Sequence, residues 1–179
     1  MDNESLDILW MDDEPDNLVF ELSELEDWGH CVTAAENLED AIELIKNKKF
    51  DLILSDQQIA GTQFTSETSI NLWMGCVFLR VIRKNFRPIA TAHEFIQGLL
   101  AKYANDVALQ SHPNENTYVA FISGFTNKQV IDEIKASSPK DHTILIFAKP
   151  IDENILQRVE KAAKQHKQKS LLEQGNING

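Results

Sequence analysis

Cysteine is scarce in this sequence: two residues among 179. Cys31 and Cys76 lie far apart, and neither stands in a C-x-x-C or Cys/His ligand spacing, which excludes a disulfide framework and a structural zinc site. Both are expected to be reduced and mostly buried. Long apolar runs are also missing, since no stretch approaches the roughly 18 consecutive apolar residues of a membrane helix. The acidic start, Met1-Asp2-Asn3-Glu4, has neither the basic region nor the apolar run of a signal peptide. The expectation is a soluble, cytoplasmic protein with no membrane partner. Basic residues are few against acidic ones, 17 to 28, and the resulting formal charge of −11 repels a phosphate backbone. Nucleic acid is therefore not an expected partner. No glycine-rich turn follows the first apolar run, where the chain reads Asp12-Asp13-Glu14-Pro15, so a phosphate-cradling nucleotide loop is excluded there. His30, His93, His112, His142 and His166 are scattered without a shared ligand spacing and read as surface or core histidines.

What is present is an alternation. Leu6 to Met11, Cys31 to Ala34, Leu52 to Ser55, Tyr118 to Ile122 and Thr143 to Phe147 have strand length and composition, and most are continuous apolar runs of the kind buried on both faces of a parallel sheet. Between them lie helical stripes. Leu18, Leu22 and Leu25 share a face before Gly29, predicting a helix over Asp16 to Trp28, and Leu38, Ala41, Ile42 and Ile45 make a second one with Asn37 as N-cap. A polar stretch from Thr62 to Ser69 precedes Gly75 and a helix containing Val77, Phe78, Val81 and Ile82. After Pro88, Thr91 and Glu94 resemble a capping box that opens a further helix, with Phe95, Leu99, Tyr103 and Val107 at every fourth position. Asn127 to Ala136 and Asp152 to His166 supply the last two helices. The pattern implies one α/β domain over residues 1–166: a doubly wound, five-stranded parallel sheet with atypical insertions at about 62–74 and 87–116, the latter adding a helical segment between the third helix and the fourth strand. Residues 167–179 are expected to form a flexible polar tail.

In such a sheet, ligands sit beyond the carboxyl ends of the strands, so the residues just after each strand are the candidates. They form a coherent set: Asp12 and Asp13 after the first strand, Asp56 after the third, Ser123 after the fourth and Lys149 after the fifth. Three carboxylates that close together stay ionised only if a hard cation or an ammonium offsets their charge. Oxygen donors with room for waters suit Mg²⁺. Lys149 and Ser123 add a positive group and a hydroxyl donor, which together can hold the oxygens of a phosphoryl group.

Asp12-Asp13, Asp56, Ser123 and Lys149-Pro150, in this order and on these elements, resemble the signature of a response-regulator receiver domain, with its flavodoxin-like (βα)5 fold. The resemblance covers residues 6–60 and 117–163. It implies that Asp56 is the phosphoacceptor and that Asp12, Asp13, Asp56 and the backbone carbonyl of Gln58 are the metal ligands. It also implies that Ser123 moves toward the phosphoryl group, that Lys149 bridges to it, and that the Lys149–Pro150 peptide bond is cis. Two positions depart from the family pattern: Ala60 stands where a proline is usual, and Ile146 where an aromatic is usual, with Phe147 next. A haloacid-dehalogenase-type phosphatase is excluded, because Gln57-Gln58 follow Asp56 where that chemistry needs a second Asp two positions on.

The expected function is a phosphorylation switch of a two-component phosphorelay, supplied by a histidine kinase, a phosphotransfer protein or a small phosphodonor. No enzyme activity is expected beyond self-phosphorylation and self-dephosphorylation. No output domain is expected after the last helix, so the signal is expected to leave by contact with a downstream protein or a second copy of the chain. The alternative is a receiver-like interaction module acting independently of phosphorylation. The stripe on the inserted helix is either its interface or part of the domain core.

Overall fold

The computed structural model describes residues 4–59, 73–89, 92–124, 128–137 and 144–177. Within them the five apolar runs become parallel strands: β1 (Asp7–Met11), β2 (Cys31–Ala35), β3 (Leu52–Ser55), β4 (Tyr118–Ser123) and β5 (Leu145–Ala148). They form one sheet in the order β2-β1-β3-β4-β5. All four pairings are parallel, with Met11 beside both Ala35 and Ser55, and Ser123 beside Ala148. Parallel strands need crossovers, and the helical segments supply them.

Successive strand residues face opposite sides, so the two faces collect two cores. On one face Ile8, Trp10, Leu52, Leu54, Ala120 and Ile122 pack with Leu18 and Leu25 of the first crossover and with Leu156, Val159 and Ala163 of the last. Those helices are α1 (Val19–Asp27), entered through a 3-10 turn at Pro15–Leu18, and α7 (Glu153–Ile177). Gly29 ends the first crossover at φ 87, a conformation that a side chain would strain. On the other face Leu9, Met11, Ile53, Val119 and Phe121 pack with α2 (Leu38–Asn47), α3 (Met74–Ile82) and Ile134 of α6 (Lys128–Ser137). Asn37 caps α2 as its sequence implies, accepting from the Asp40 amide at 2.9 Å. Among the described residues no helix is long and apolar enough to cross a membrane.

The insertion after α3 folds onto its own domain. Its two helices, α4 (Glu94–Ala104) and α5 (Val107–Ser111), lie outside α3 and α2, and Ile96, Leu99, Leu100, Tyr103 and Leu109 join the second core. The expected single helix from Thr91 through Val107 is thus corrected at both ends. His93 is the N-cap, accepting from the Phe95 amide at 3.1 Å, while Thr91 lies outside the described residues. Asp106 starts a new helix by accepting from the amides of Ala108 and Leu109 at 3.0 and 3.4 Å, which leaves Val107 82% exposed. Leu99 and Tyr103 are buried and Phe95 packs against the same core, so this part of the stripe is core, while Val107 stands outside it. Most of the first expected insertion, about 62–74, also lies outside the described residues.

The excursion leaves and returns at the amino end of the sheet, where buried polar groups fasten it. The Asn114 amide group donates to the carbonyls of Ile45 and Lys48 and accepts from the Phe50 N–H. Thr117 Oγ1 donates to the Phe50 carbonyl, and the buried Arg83 guanidinium donates to the carbonyls of Glu115 and Thr117. His112 uses both ring nitrogens, one on the Val81 carbonyl and one on the Asn114 amide. Burial lowers Arg83 to about 10, with Glu115 opposing the shift.

Two further expectations change. α7 runs on to Ile177 through the stretch read as a tail, because Lys167 reaches back to Asp51 and Glu4, and Lys169 pairs with Glu173 one turn on. Cys31 is exposed at the start of the edge strand β2, whereas Cys76 is buried and burial pushes its thiol up to about 12.

Candidate functional site

The sheet register places the acidic residues. Met11 and Ser55 are partners across β1 and β3, so the next residue on each strand, Asp12 and Asp56, emerges at the same rim. Backbone bonds hold both at the sheet end: the Asp12 amide donates to the Ala35 carbonyl at 3.0 Å and the Asp56 amide to the Met11 carbonyl at 2.8 Å. Carboxylate oxygens of Asp12, Asp13 and Asp56 all lie within 4.8 Å of one another, with Asp12 and Asp56 buried. Each like-charge pair at this range costs roughly 4 kcal/mol for an effective dielectric constant of about 20. Lys149 supplies the offset. Its Nζ bridges Asp12 Oδ2 at 2.7 Å and Asp56 Oδ2 at 2.8 Å. Burial by itself would lower this ammonium, but the hydrogen bonds to the two carboxylates outweigh it and hold Lys149 above its ordinary range.

The remaining carboxylate oxygens are oriented by the loops that follow. Asp12 Oδ1 accepts from the Glu14 amide and Asp56 Oδ1 from the Gln58 amide, each at 3.0 Å. Ser123 ends β4 next to β5, is 1% exposed, and its carbonyl accepts the Lys149 N–H at 3.1 Å. The Lys149–Pro150 bond is cis. Asp12, Asp13, Asp56 and Lys149 are therefore brought into one cluster, with Ser123 on the neighbouring strand end and Gln58 two residues beyond Asp56. Three hard oxygen donors at this spacing fit a small divalent cation such as Mg²⁺, and among the described residues no His or Cys joins them.

The sequence did not reveal how the Asp56 loop is supported. Ser55 Oγ donates to the Asp56 carbonyl at 2.7 Å, and the Gly75 amide donates to the Gln57 carbonyl at 3.1 Å. A Cβ at Gly75 would lie 2.5 Å from the Asp56 carbonyl oxygen, so only glycine lets α3 approach the loop this closely. A glycine inside an otherwise apolar helical run was the available signal. The neighbouring Gln57 side chain is fully buried and its amide has no hydrogen-bond partner. On β5, Ile146 packs against the α2/α3 core, while Phe147 faces the opposite side beneath the Arg158 guanidinium, 5.1 Å from the ring centre.

The architecture has counterparts among solved structures. The receiver domain of the Francisella response regulator 1452 matches with a TM-score of 0.56 at 19% identity, covering 89% of this chain and 98% of that one. NtrX from Brucella abortus matches with a TM-score of 0.62 at 20% identity over 95% of this chain, which corresponds to 30% of that longer protein. The beryllofluoride-activated NtrC4 receiver domain dimer matches with a TM-score of 0.56 at 17% identity, over 89% of this chain and 97% of that one. The fold is that of a response-regulator receiver domain. No family model matches the sequence, and no curated protein does. Among the described residues, α1, α2, α3, α6 and α7 cross over or close the sheet, and α4 with α5 is the pair outside that pattern.

Proposed function

We propose that this receiver-fold chain is a phosphorylation switch of a two-component phosphorelay that accepts a phosphoryl group on Asp56. The observation that carries the proposal is the Lys149 ammonium bridging Asp12 and Asp56 beside Asp13 at the carboxyl ends of β1, β3 and β5. In the proposed reaction an Asp56 carboxylate oxygen attacks the phosphorus of a phosphohistidine on a histidine kinase or phosphotransfer protein. An O–P bond forms, the N–P bond breaks, and the histidine nitrogen leaves with the electron pair. Mg²⁺ held by Asp12, Asp13, Asp56 and the Gln58 carbonyl would neutralise charge on the transferred oxygens. Lys149 then trades its hydrogen bond with Asp56 for one with a phosphoryl oxygen, and the Ser123 hydroxyl donates to another. Transfer draws Ser123 toward the phosphoryl group and re-seats Lys149 on it, and the ends of β4 and β5 shift with them. The signal leaves by contact with a downstream protein or a second copy, as the NtrC4 receiver is described as a dimer in its beryllofluoride-activated form. The site of action is the cytoplasm.

The test is intact mass after incubation with acetyl phosphate and Mg²⁺. One acid-labile phosphoryl group is expected, absent without the metal and absent in Asp56→Asn. Modification of Asp56→Asn at the wild-type rate would refute the assignment.

A further inference from the structure

The added helices create a cleft that the proposed phosphoacceptor chemistry does not use. α4 and the start of α5 stand against α2, and between them lies a space of about 180 Å³ bordered by Glu39, Ile42, Glu43, Lys46, Tyr103 and Asp106. Most of its polar atoms are already satisfied. Lys46 pairs with Asp106 at 2.8 Å and with Glu43 at 3.4 Å, and Asp106 also accepts the amides that cap α5. Two atoms are not. Glu39 Oε1 and Tyr103 Oη are both shielded from solvent and have no hydrogen-bond partner, although Tyr103 is only 5% exposed. Buried polar atoms are nearly always paired, so two orphans bordering one cleft mark a place built for something that hydrogen-bonds there.

The chemistry of the lining narrows the occupant. An ionised carboxylate oxygen can only accept, so the occupant must donate to Glu39. Burial, and after it the charge of Glu39, push the Tyr103 phenol above its usual range, so it is present as a hydroxyl whose oxygen can accept a bond. Glu39, Glu43 and Asp106 outnumber Lys46 and Lys102 around the cleft, within a chain of formal charge −11. The Lys102 ammonium lies over the Tyr103 ring, 5.5 Å from its centre, so the apolar wall on which a short hydrocarbon body can lie is Ile42 with the part of that ring Lys102 leaves open. A neutral or anionic molecule leaves the carboxylate uncompensated; an alkylammonium meets every requirement.

We infer that the cleft between α2 and the added helices binds a small primary amine in its ammonium form, whose N–H groups are received by Glu39 Oε1 and Tyr103 Oη. This site does not depend on the Asp56 reading, and either can fail alone.

The test uses the full chain and n-butylammonium chloride as the probe, followed by amide NMR shifts at constant ionic strength. Saturable shifts are expected in α2 and α4, with affinity about tenfold weaker in Glu39→Gln and in Tyr103→Phe, as loss of a charge-assisted hydrogen bond implies. n-Butanol and butyrate are expected not to saturate, and Asp56→Asn to bind as wild type. Glu39→Gln lies in the first turn of α2 and keeps its shape, so the test stands even if Tyr103→Phe loosens the core. Non-saturating shifts, meaning that water alone fills the cleft, would overturn the inference. So would equal binding of n-butanol, or unchanged affinity in both variants.

Discussion

Replacing Gly75 by alanine isolates the support beneath Asp56, the proposed phosphoacceptor. The added Cβ would lie 2.5 Å from the Asp56 carbonyl oxygen, 2.8 Å from Gln57 Cα and 3.0 Å from Phe121 Cε1. The two nearest atoms are backbone, so no side chain can swing away, and either α3 or the Asp56 loop must shift. Overpacking of this kind costs about 1–3 kcal/mol, and the rigid neighbours place the cost in the upper half of that range. Alanine recovers about 1 kcal/mol of helix propensity, which leaves a net loss of roughly 1–2 kcal/mol. Gly98 in α4 provides the matched control, since a Cβ there meets nothing within 4 Å and Gly98→Ala should gain up to about 1 kcal/mol. Urea unfolding of both variants, read at a common slope, should therefore separate them by roughly 2–3 kcal/mol. Phosphorylation by acetyl phosphate should slow in Gly75→Ala and not in Gly98→Ala, because only the first displaces Asp56. A Gly75→Ala protein as stable as wild type would show that α3 does not constrain the acidic loop.

Three other outcomes follow from the same geometry. Crowding of like charges suggests that removing any of the three carboxylates should stabilise the metal-free protein, but Lys149 bridges Asp12 and Asp56; melting in EDTA should therefore show Asp12→Ala below Asp13→Ala, and the reverse order would mean that the bridge is not formed in solution. His112 is held below its ordinary value of 6.5, chiefly by burial and then by Lys84 and Arg83, against the opposing Val81 carbonyl and Glu115. The unfolded chain takes up a proton near that value while the folded one resists it, so stability present above about pH 6.5 should fall as the pH drops, and His112→Gln should flatten that slope in unfolding experiments between about pH 7 and 5. Leu99→Asp should cost about 3 kcal/mol or more by burying a charge, whereas Val107→Asp should stay within about 0.5 kcal/mol; equal effects in thermal melts would contradict the placement of the added helices.

The rim residues were legible because a parallel sheet converts chain order into position: whatever follows β1, β3 and β5 must meet at one edge, and Asp12, Asp56 and Lys149 do. The cores were legible for the same reason, through uninterrupted runs such as Leu52 to Ser55. The added helices were less so. Spacing alone carried the stripe from Phe95 to Val107, because a periodicity argument cannot see Asp106 turning its carboxylate back onto the amides of Ala108 and Leu109. Cys31 was read as buried because residue type reports average burial, whereas its exposure follows from β2 lying at the sheet edge. α7 was cut short at His166 because the sequence beyond is polar, and the bonds of Lys167 to Asp51 and Glu4 link residues more than a hundred positions apart. The Gly75 contact with Asp56 is equally nonlocal.

The polar fastening of the excursion between α3 and β4 bears on how such a domain diversifies. Arg83 at its start grips the carbonyls of Glu115 and Thr117 at its end, so the chain departs and re-enters at nearly one point, at the amino end of the sheet and opposite the acidic cluster. Whatever is spliced between those two anchors can lengthen, shorten or change its surface without altering the register of β3 against β4. Changes confined to that segment therefore leave the acidic rim at the other end of the sheet undisturbed.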